Sequence, residues 1–213
     1  MKLTSEDFGD GKPMPAELAF CKIDAATHAT LSVNRNPQLT WHDAPTGTKS
    51  FALICHDPDV PSKGDDVNKE GRTIPASLPR IDFFHWVLVD IPASVERIAA
   101  GEHSSSVVAR GKPGPAVATT TAKGARHGIN DYTGWFAGDA DMGGDYYGYD
   151  GPCPPWNDEI PHRYVFTLYA LDVAKLAVPE RFTGADVRAA LKGKVLAESA
   201  ITGVYALNPT VRL

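Results

Sequence analysis

The stretch from Gly148 to Ala170 constrains the fold most strongly. It begins with the loop Gly-Tyr-Asp-Gly-Pro-Cys-Pro-Pro at 148–155, whose three prolines restrict the backbone. His162 follows, and the apolar and aromatic run after it, Arg163 to Leu171, is typical of a β-strand. We therefore predict a rigid loop and a strand end that together bring polar groups, His162 among them, to the mouth of a pocket.

Two earlier runs predict further strands. Residues 50–55 are apolar and predict a buried strand, which should end at 57–61 because two prolines do not fit a central ladder. Residues 83–89 predict a central strand, because side chains two apart share a face and both faces are apolar. The alternation places Phe83, His85, Val87 and Val89 on one face and Phe84, Trp86 and Leu88 on the other. His85 is therefore predicted to be buried.

The end of the chain predicts a short helix. Thr183 and Asp186 resemble an N-terminal cap, and Gly193 is a plausible stop. Residues 195–205 fit a second helix or a last strand, and the Gly-Val-Tyr ending favours the strand. The patterns together predict a mainly β protein with one or two short helices late in the chain.

Charge and length exclude several classes of protein. The chain has 213 residues, and its 21 Lys and Arg against 26 Asp and Glu give a net charge of −5. A nucleic-acid-binding protein normally has a basic surface, so we expect no nucleic-acid partner. The sequence shows no internal repeat or linker, and we predict a single domain over 1–213.

Cysteine usage and the terminus bear on location. Cys21, Cys55 and Cys153 are an odd number without a Cys-x-x-Cys motif, so a disulfide framework is not expected. Cys55 and Cys153 are predicted to be inert small hydrophobic residues. The first residues carry no apolar signal region, and we predict a reducing, cytoplasmic location.

The segment 101–147 is too long for a plain connection. Residues 101–151 hold 11 of the 19 glycines, together with several aromatic residues. The aromatic residues favour a packed segment over a disordered one, and loops of this length are usually functional when they are ordered.

Four motifs in order give the chain a recognisable pattern. They are Asp-Pro-Asp at 57–59, His-Trp-Val at 85–87, Gly-Pro-Cys-Pro-Pro at 151–155 and His-Arg-Tyr at 162–164. In this pattern the chain resembles the phosphatidylethanolamine-binding protein family, specifically its bacterial, Raf kinase inhibitor-like branch. The resemblance extends from about residue 7 to residue 205. Residues 133–145 depart from the family pattern as an insertion that reshapes the predicted pocket rim.

The resemblance implies a fold and a site. The fold is a large antiparallel β-sheet packed on a smaller sheet, a β-sandwich with one or two short helices. The site is a small preformed cavity for phosphate-type groups or phospholipid headgroups, without catalysis, cofactor or bound metal. The residues that match its lining are Asp57, Asp59, His85, Gly151, Pro152, His162 and Tyr164.

The residue types fit such a site. His85 and His162 can supply donors and positive charge, because histidine titrates near neutral pH. Backbone N–H groups around Gly151 can form a concavity that binds anions, and Tyr164 offers a hydroxyl. Asp57 and Asp59 can orient an imidazole, receive a cationic headgroup, or bond the backbone of their own turn. Arg163 is predicted to pair with a carboxylate.

Two other functions remain open at this point. The Asp and His cluster is also a plausible ligand set for a metal-dependent hydrolase. A protein-interaction module, acting for example as an enzyme inhibitor through the 101–147 segment, is the third hypothesis. A homodimer is a candidate assembly, and the sequence identifies no other protein partner.

Overall fold

The computed structural model describes residues 1–117, 119 and 122–213, and β-strands dominate them. In chain order the elements are β1 (Lys2–Thr4), β2 (Lys12–Pro13), β3 (Cys21–Asp24), β4 (His28–Leu31), β5 (Leu39–His42), β6 (Ser50–Pro61), β7 (Arg80–Pro92), β8 (Arg97–Ile98), β9 (Arg126–His127), α1 (Tyr132–Trp135), β10 (His162–Leu171), α2 (Gly184–Ala190) and β11 (Val195–Tyr205). A single 3₁₀ turn, Ala16–Leu18, precedes β3. No helix of the described residues is long and apolar enough to cross a bilayer.

The strands form one large sheet and two small ones. The large sheet has the order β2-β11-β10-β6-β7-β9, and its pairs are antiparallel except for β2 with β11. A three-stranded sheet has the order β1-β5-β8, and β3 and β4 form a separate pair. The predicted mainly β class is confirmed, and α1 lies mid-chain rather than near the C-terminus.

Both faces of the large sheet are covered, as the side chains of β6 show by alternating between two apolar clusters. Phe51, Leu53 and Cys55 join the main core with residues of the small sheet such as Trp41. Ala52 and Ile54 point into a second cluster. That cluster includes Val187 of α2, with Phe182 just before the helix and Leu191 at its C-terminal end. Each fully buried large aliphatic or aromatic side chain contributes about 1.5–3 kcal/mol, so both faces stabilise β6.

The late elements follow the predicted patterns. In β10, His162 and Tyr164 are buried whereas Arg163 between them is exposed, as expected of alternating strand side chains. At α2 the Thr183 side chain accepts from the Asp186 N–H and the Asp186 carboxylate accepts from the Thr183 N–H, which makes a capping box. Residues 195–205 form the strand β11, as favoured from the sequence.

The prediction that β6 ends before its prolines is wrong. The strand continues through 57–61, where Asp57 pairs with Phe83 and Val60 with Ile81, so one extra β6 residue forms a bulge. The ladder between β6 and β10 has its last pair at His56 and Val165. The prolines therefore lie beyond that ladder, and their missing N–H groups break no bond with β10.

The predicted alternation of 83–89 is also wrong. Cys55 pairs with Trp86 and His56 with Phe84, which leaves His85 as an extra residue on β7. A bulge of this kind shifts the side-chain alternation by one position. Consequently Phe83, His85, Trp86 and Leu88 lie on the side of the main core and the pocket. Phe84, Val87 and Val89 lie in the second cluster.

Candidate functional site

A pocket of about 480 Å³ lies where β6, β7 and β10 meet the loop at 151–155. Apolar side chains form most of its wall. They are Phe20, Leu31, Val60, Val67, Ile81, Phe83, Trp135, Phe136 and Met142. Four of the predicted site residues line it as well, and we call Asp57, His85, His162 and Tyr164 the polar floor. The pocket therefore combines an apolar wall with a small group of convergent polar atoms, as ligand sites commonly do.

A second depression of about 680 Å³ is larger but more open, and it lies near Trp156 and the C-terminal residues 208–212. None of the predicted site residues lines it. We take the smaller pocket as the candidate site because its buried polar groups converge there.

His162 is the charged group of the polar floor. His162 is the first residue of β10, and its ring is fully buried. Its Nδ1 lies 2.7 Å from Asp57 Oδ2, and its Nε2 lies 3.2 Å from Asp158 Oδ2. Burial alone lowers the pKa of His162, but the two carboxylates outweigh it and raise this pKa to about 9. The ring is therefore an imidazolium at neutral pH, and both of its N–H groups donate to carboxylates.

Asp57 has two structural bonds. Oδ2 accepts from His162, and Oδ1 accepts from the N–H of Asp59 at 2.8 Å. Two of the three interpretations offered from the sequence, orientation of an imidazole and bonding to its own turn, are confirmed for this residue, and receipt of a cationic headgroup stays a prediction. Asp57 is only 1% exposed, and these two bonds and the charge of His162 offset the cost of burying its side chain.

His85 differs from His162 in its charge. Its Nδ1 lies 2.7 Å from the carbonyl oxygen of Asp150, and a carbonyl only accepts, so Nδ1 carries the proton. Burial lowers the pKa of His85 to about 4, against the opposing influence of Asp57. The ring is neutral at physiological pH and Nε2 is an acceptor, so the expectation that both histidines supply positive charge holds for His162 alone.

Tyr164 brings a hydroxyl with unused bonding capacity. The residue is 1% exposed, and its hydroxyl lies close to the Asp57 carboxylate. Among the described residues, neither this carboxylate nor any other group forms a well-aligned hydrogen bond with it. Burial raises the pKa of Tyr164, and the nearby Asp57 carboxylate raises it further, so the hydroxyl keeps its proton. A buried donor without a well-formed hydrogen bond lowers the stability of the folded protein unless a water or a ligand accepts from it.

Asp59 lies behind the pocket wall rather than in it. Its carboxylate accepts from the Arg163 guanidinium at 2.8 and 2.9 Å and from the Arg163 N–H at 2.9 Å. The predicted pairing of Arg163 with a carboxylate is confirmed. This arrangement joins β6 to β10 just beyond the end of their backbone ladder.

Gly151 and Pro152 also support the pocket from behind. The Gly151 N–H donates to Asn34 Oδ1 at 2.8 Å, so it is not free for the anion concavity predicted there. A Cβ on Gly151 would lie 2.0 Å from the Leu18 carbonyl oxygen, which explains the need for glycine. The Pro152 carbonyl accepts from the N–H groups of Phe20 and Cys21. The pocket wall itself is formed by the next residues, 153–155.

The expectation of no disulfide is wrong. Cys21 and Cys153 form a disulfide across 132 residues, and both line the pocket. The bond fixes the start of β3 to the loop after Pro152. The prediction of an inert Cys153 is therefore wrong, whereas Cys55 is free and buried, as predicted for an inert residue.

Sequence reasoning missed the groups that surround the polar floor. Asp158 is 1% exposed and accepts two bonds from Arg80, at 2.5 and 3.0 Å, besides its bond from His162. The sequence signal that could have identified Asp158 is its position, four residues before His162. Tyr132 and Met142, from the 101–147 segment, line the pocket, so this segment does reach the rim.

The site is a poor match for a metal ion. Both nitrogens of His162 face carboxylates and hold protons, which leaves no lone pair for a metal. In the part of the chain that the structure describes, no group of three or more His, Cys, Asp or Glu side chains could hold a metal ion.

The comparisons with known proteins agree with this architecture. The family model for phosphatidylethanolamine-binding protein matches residues 4–206. UPF0098 protein YbhB of Escherichia coli is 30% identical over 205 residues, which cover 96% of this chain and 99% of that protein. A UPF0098 protein of Aquifex aeolicus is 30% identical over 205 residues, covering 96% and 88%.

Solved structures show the same similarity. The crystal structure of Escherichia coli YbcL, described as a new member of the mammalian PEBP family, has a TM-score of 0.66 and 28% identity, covering 96% of this chain and 97% of that chain. CT736 from Chlamydia trachomatis, described as a phosphatidylethanolamine-binding protein homologue, has a TM-score of 0.62 and 26% identity, covering 96% and 95%.

Proposed function

Because this chain belongs to the phosphatidylethanolamine-binding protein family, we propose that it is a non-catalytic binding protein whose pocket holds a phosphate-type anion or a phospholipid headgroup. One observation carries the proposal. A mostly apolar cavity has at its floor the Tyr164 hydroxyl, which has no fully formed hydrogen bond, together with the buried imidazolium of His162. Such a floor suits a polar head, and the apolar wall suits carbon groups attached to it.

The seven predicted site residues take different roles in this proposal. Tyr164 donates to a ligand oxygen, His85 contacts the ligand, and His162 supplies a fixed charge that Asp57 orients. The remaining three, Asp59, Gly151 and Pro152, hold the floor and the loop in place from behind. This division follows from which side chains line the cavity.

The chemistry of the pocket supports binding rather than turnover. Its two cysteines are joined in a disulfide, and the free thiol of Cys55 is fully buried with its pKa raised by that burial. A nucleophile needs an adjacent base to activate it. His162 cannot serve as that base because it already holds both protons. The neutral His85 lies beside the Tyr164 hydroxyl, but burial raises the pKa of Tyr164 and makes that hydroxyl a poor nucleophile.

Thermal-shift titration with phosphate, O-phosphoethanolamine and acetate tests the proposal. Tyr164→Phe removes only the hydroxyl. Because that hydroxyl has no well-formed hydrogen bond, the protein without ligand should lose little stability. Tyr169→Phe is the matched control, since Tyr169 lies on β10 but packs against the second cluster. We expect both phosphate compounds to raise the Tm of the parent and the control, and to raise it less in Tyr164→Phe. Equal shifts in all three proteins, or none, would contradict the proposal.

Location and assembly remain predictions. A disulfide is typical of oxidising compartments, so the Cys21–Cys153 bond argues against the cytoplasmic location predicted from the sequence. The homodimer also remains a prediction, which light scattering on the purified protein tests.

A further inference from the structure

The polar floor offers more acceptors than free donors. Both N–H groups of His162 are already used by Asp57 and Asp158. His85 presents Nε2 as an acceptor because Nδ1 donates to the Asp150 carbonyl. Within these four residues, the Tyr164 hydroxyl, which lies close to the Asp57 carboxylate, is the one donor without a fully formed hydrogen bond.

A fully deprotonated phosphate group conflicts with this arrangement. All of its exposed oxygens are acceptors, so they meet the lone pair of His85 Nε2 and the Asp57 carboxylate without a hydrogen between them. Like charges and unpaired acceptors are costly in a buried site. One hydrogen placed between the ligand and His85 turns the contact with Nε2 into a hydrogen bond, and it lowers the ligand charge that faces Asp57. Tyr164 donates to a second ligand oxygen.

We propose that this pocket binds a phosphate monoester together with one proton, as the monoanion whose P–O–H group donates to Nε2 of His85. The inference rests on the proposed function and deepens it, since it names the form of the ligand that the site selects. A related anion that cannot carry a proton binds only when solvent supplies the proton to Nε2 of His85. In both cases one proton enters with the anion and no covalent bond between heavy atoms changes.

The groups that face His85 set the balance between these two cases. Asp57 on β6 favours a protonated ring, and the Asp150 and Gly151 carbonyls do the same, whereas the His162 charge on β10 opposes it. Tyr164 on β10 and Tyr132 on α1 pack edge-on against the ring. Burial keeps the free ring neutral, so a proton-bearing ligand is the favoured partner.

Calorimetry with methyl phosphate and methyl sulfate tests the inference, because the two anions have similar shapes and only the phosphate carries a proton near neutral pH. The number of protons taken up is measured in buffers of different ionisation enthalpy. The second pKa of a phosphate monoester is about 6. We therefore expect no uptake with methyl phosphate at pH 5, uptake of one proton at pH 8, and affinity that falls about tenfold per pH unit above 6. Methyl sulfate should bind more tightly at pH 5 than at pH 8, with proton uptake at pH 5.

His85→Asn gives the variant test. The Asn amide can keep the donation to the Asp150 carbonyl while the acceptor at Nε2 is lost. We expect methyl phosphate to bind about tenfold more weakly at pH 5, as expected for loss of one charge-assisted hydrogen bond. Proton uptake with methyl sulfate should disappear. His56→Gln is the control, because His56 is also a partly buried histidine with a lowered pKa but lies outside the pocket.

The outcomes separate this inference from the proposed function. Methyl phosphate that binds at pH 8 without proton uptake, and as tightly as at pH 5, overturns the inference and leaves the binding function intact. Absence of binding by both anions at every pH overturns both. The proton count of the unmodified protein decides the question even if His85→Asn does not fold.

Discussion

Raising the pH above neutrality should destabilise this protein through a single buried histidine. His162 has a pKa of about 9 in the folded protein, against an ordinary value of 6.5. Between these values the folded protein holds one more proton than the unfolded chain, so its stability falls as pH rises. The full contribution is present below pH 6.5 and is lost as pH passes through 9. At 1.36 kcal/mol per pKa unit, it is about 3 kcal/mol.

The measurement is guanidinium unfolding of the parent and of His162→Gln at pH 6 to 10. Lysines and tyrosines titrate in both proteins, so the difference between the two free energies of unfolding isolates the histidine. We expect this difference to shrink by about 3 kcal/mol between pH 6 and pH 10. If the two curves stay parallel across that range, the buried imidazolium between Asp57 and Asp158 is not present and the reasoning fails.

Three further changes have defined outcomes. His162→Ala leaves two buried carboxylates without their shared cation and should lower the free energy of unfolding by about 3–5 kcal/mol, measured by chemical denaturation. Cys21→Ser with Cys153→Ser should lower the free energy of unfolding by about 2–4 kcal/mol, and a reducing agent should do the same to the parent alone. Gly151→Ala forces a Cβ against the Leu18 carbonyl and should lower the Tm markedly, whereas Gly64→Ala, whose Cβ would have open space, should not.

Much of the fold followed from local pattern. The strand β10, its alternating buried residues, the Thr183 cap of α2 and the strand at 195–205 are each specified by side chains close in sequence. Hydrophobic periodicity and capping are local signals, so the amino-acid sequence alone is enough to recognise them. The resemblance then supplied the arrangement of the two sheets and the set of candidate site residues.

The remaining features depend on contacts distant in sequence. The bulge at His85 is set by pairing with β6 and not by β7 itself, so the alternation alone assigned the wrong faces. The Cys21–Cys153 bond spans 132 residues and has no spacing motif. The charges of the two histidines differ because His162 lies between carboxylates and His85 lies against a backbone carbonyl. The carbonyl that binds His85 belongs to Asp150, 65 residues away, so the residues beside His85 do not reveal it.

The central claim is that a phosphate-type anion occupies the polar floor. The most direct measurement is a ¹H–¹⁵N spectrum of the imidazole rings during titration with methyl phosphate at pH 5.5. We predict that, of the 7 histidines, His85 and His162 change their shifts, while exposed His28 and His42 do not. Shifts confined to exposed histidines, or no shifts at all at saturating phosphate, would contradict the account.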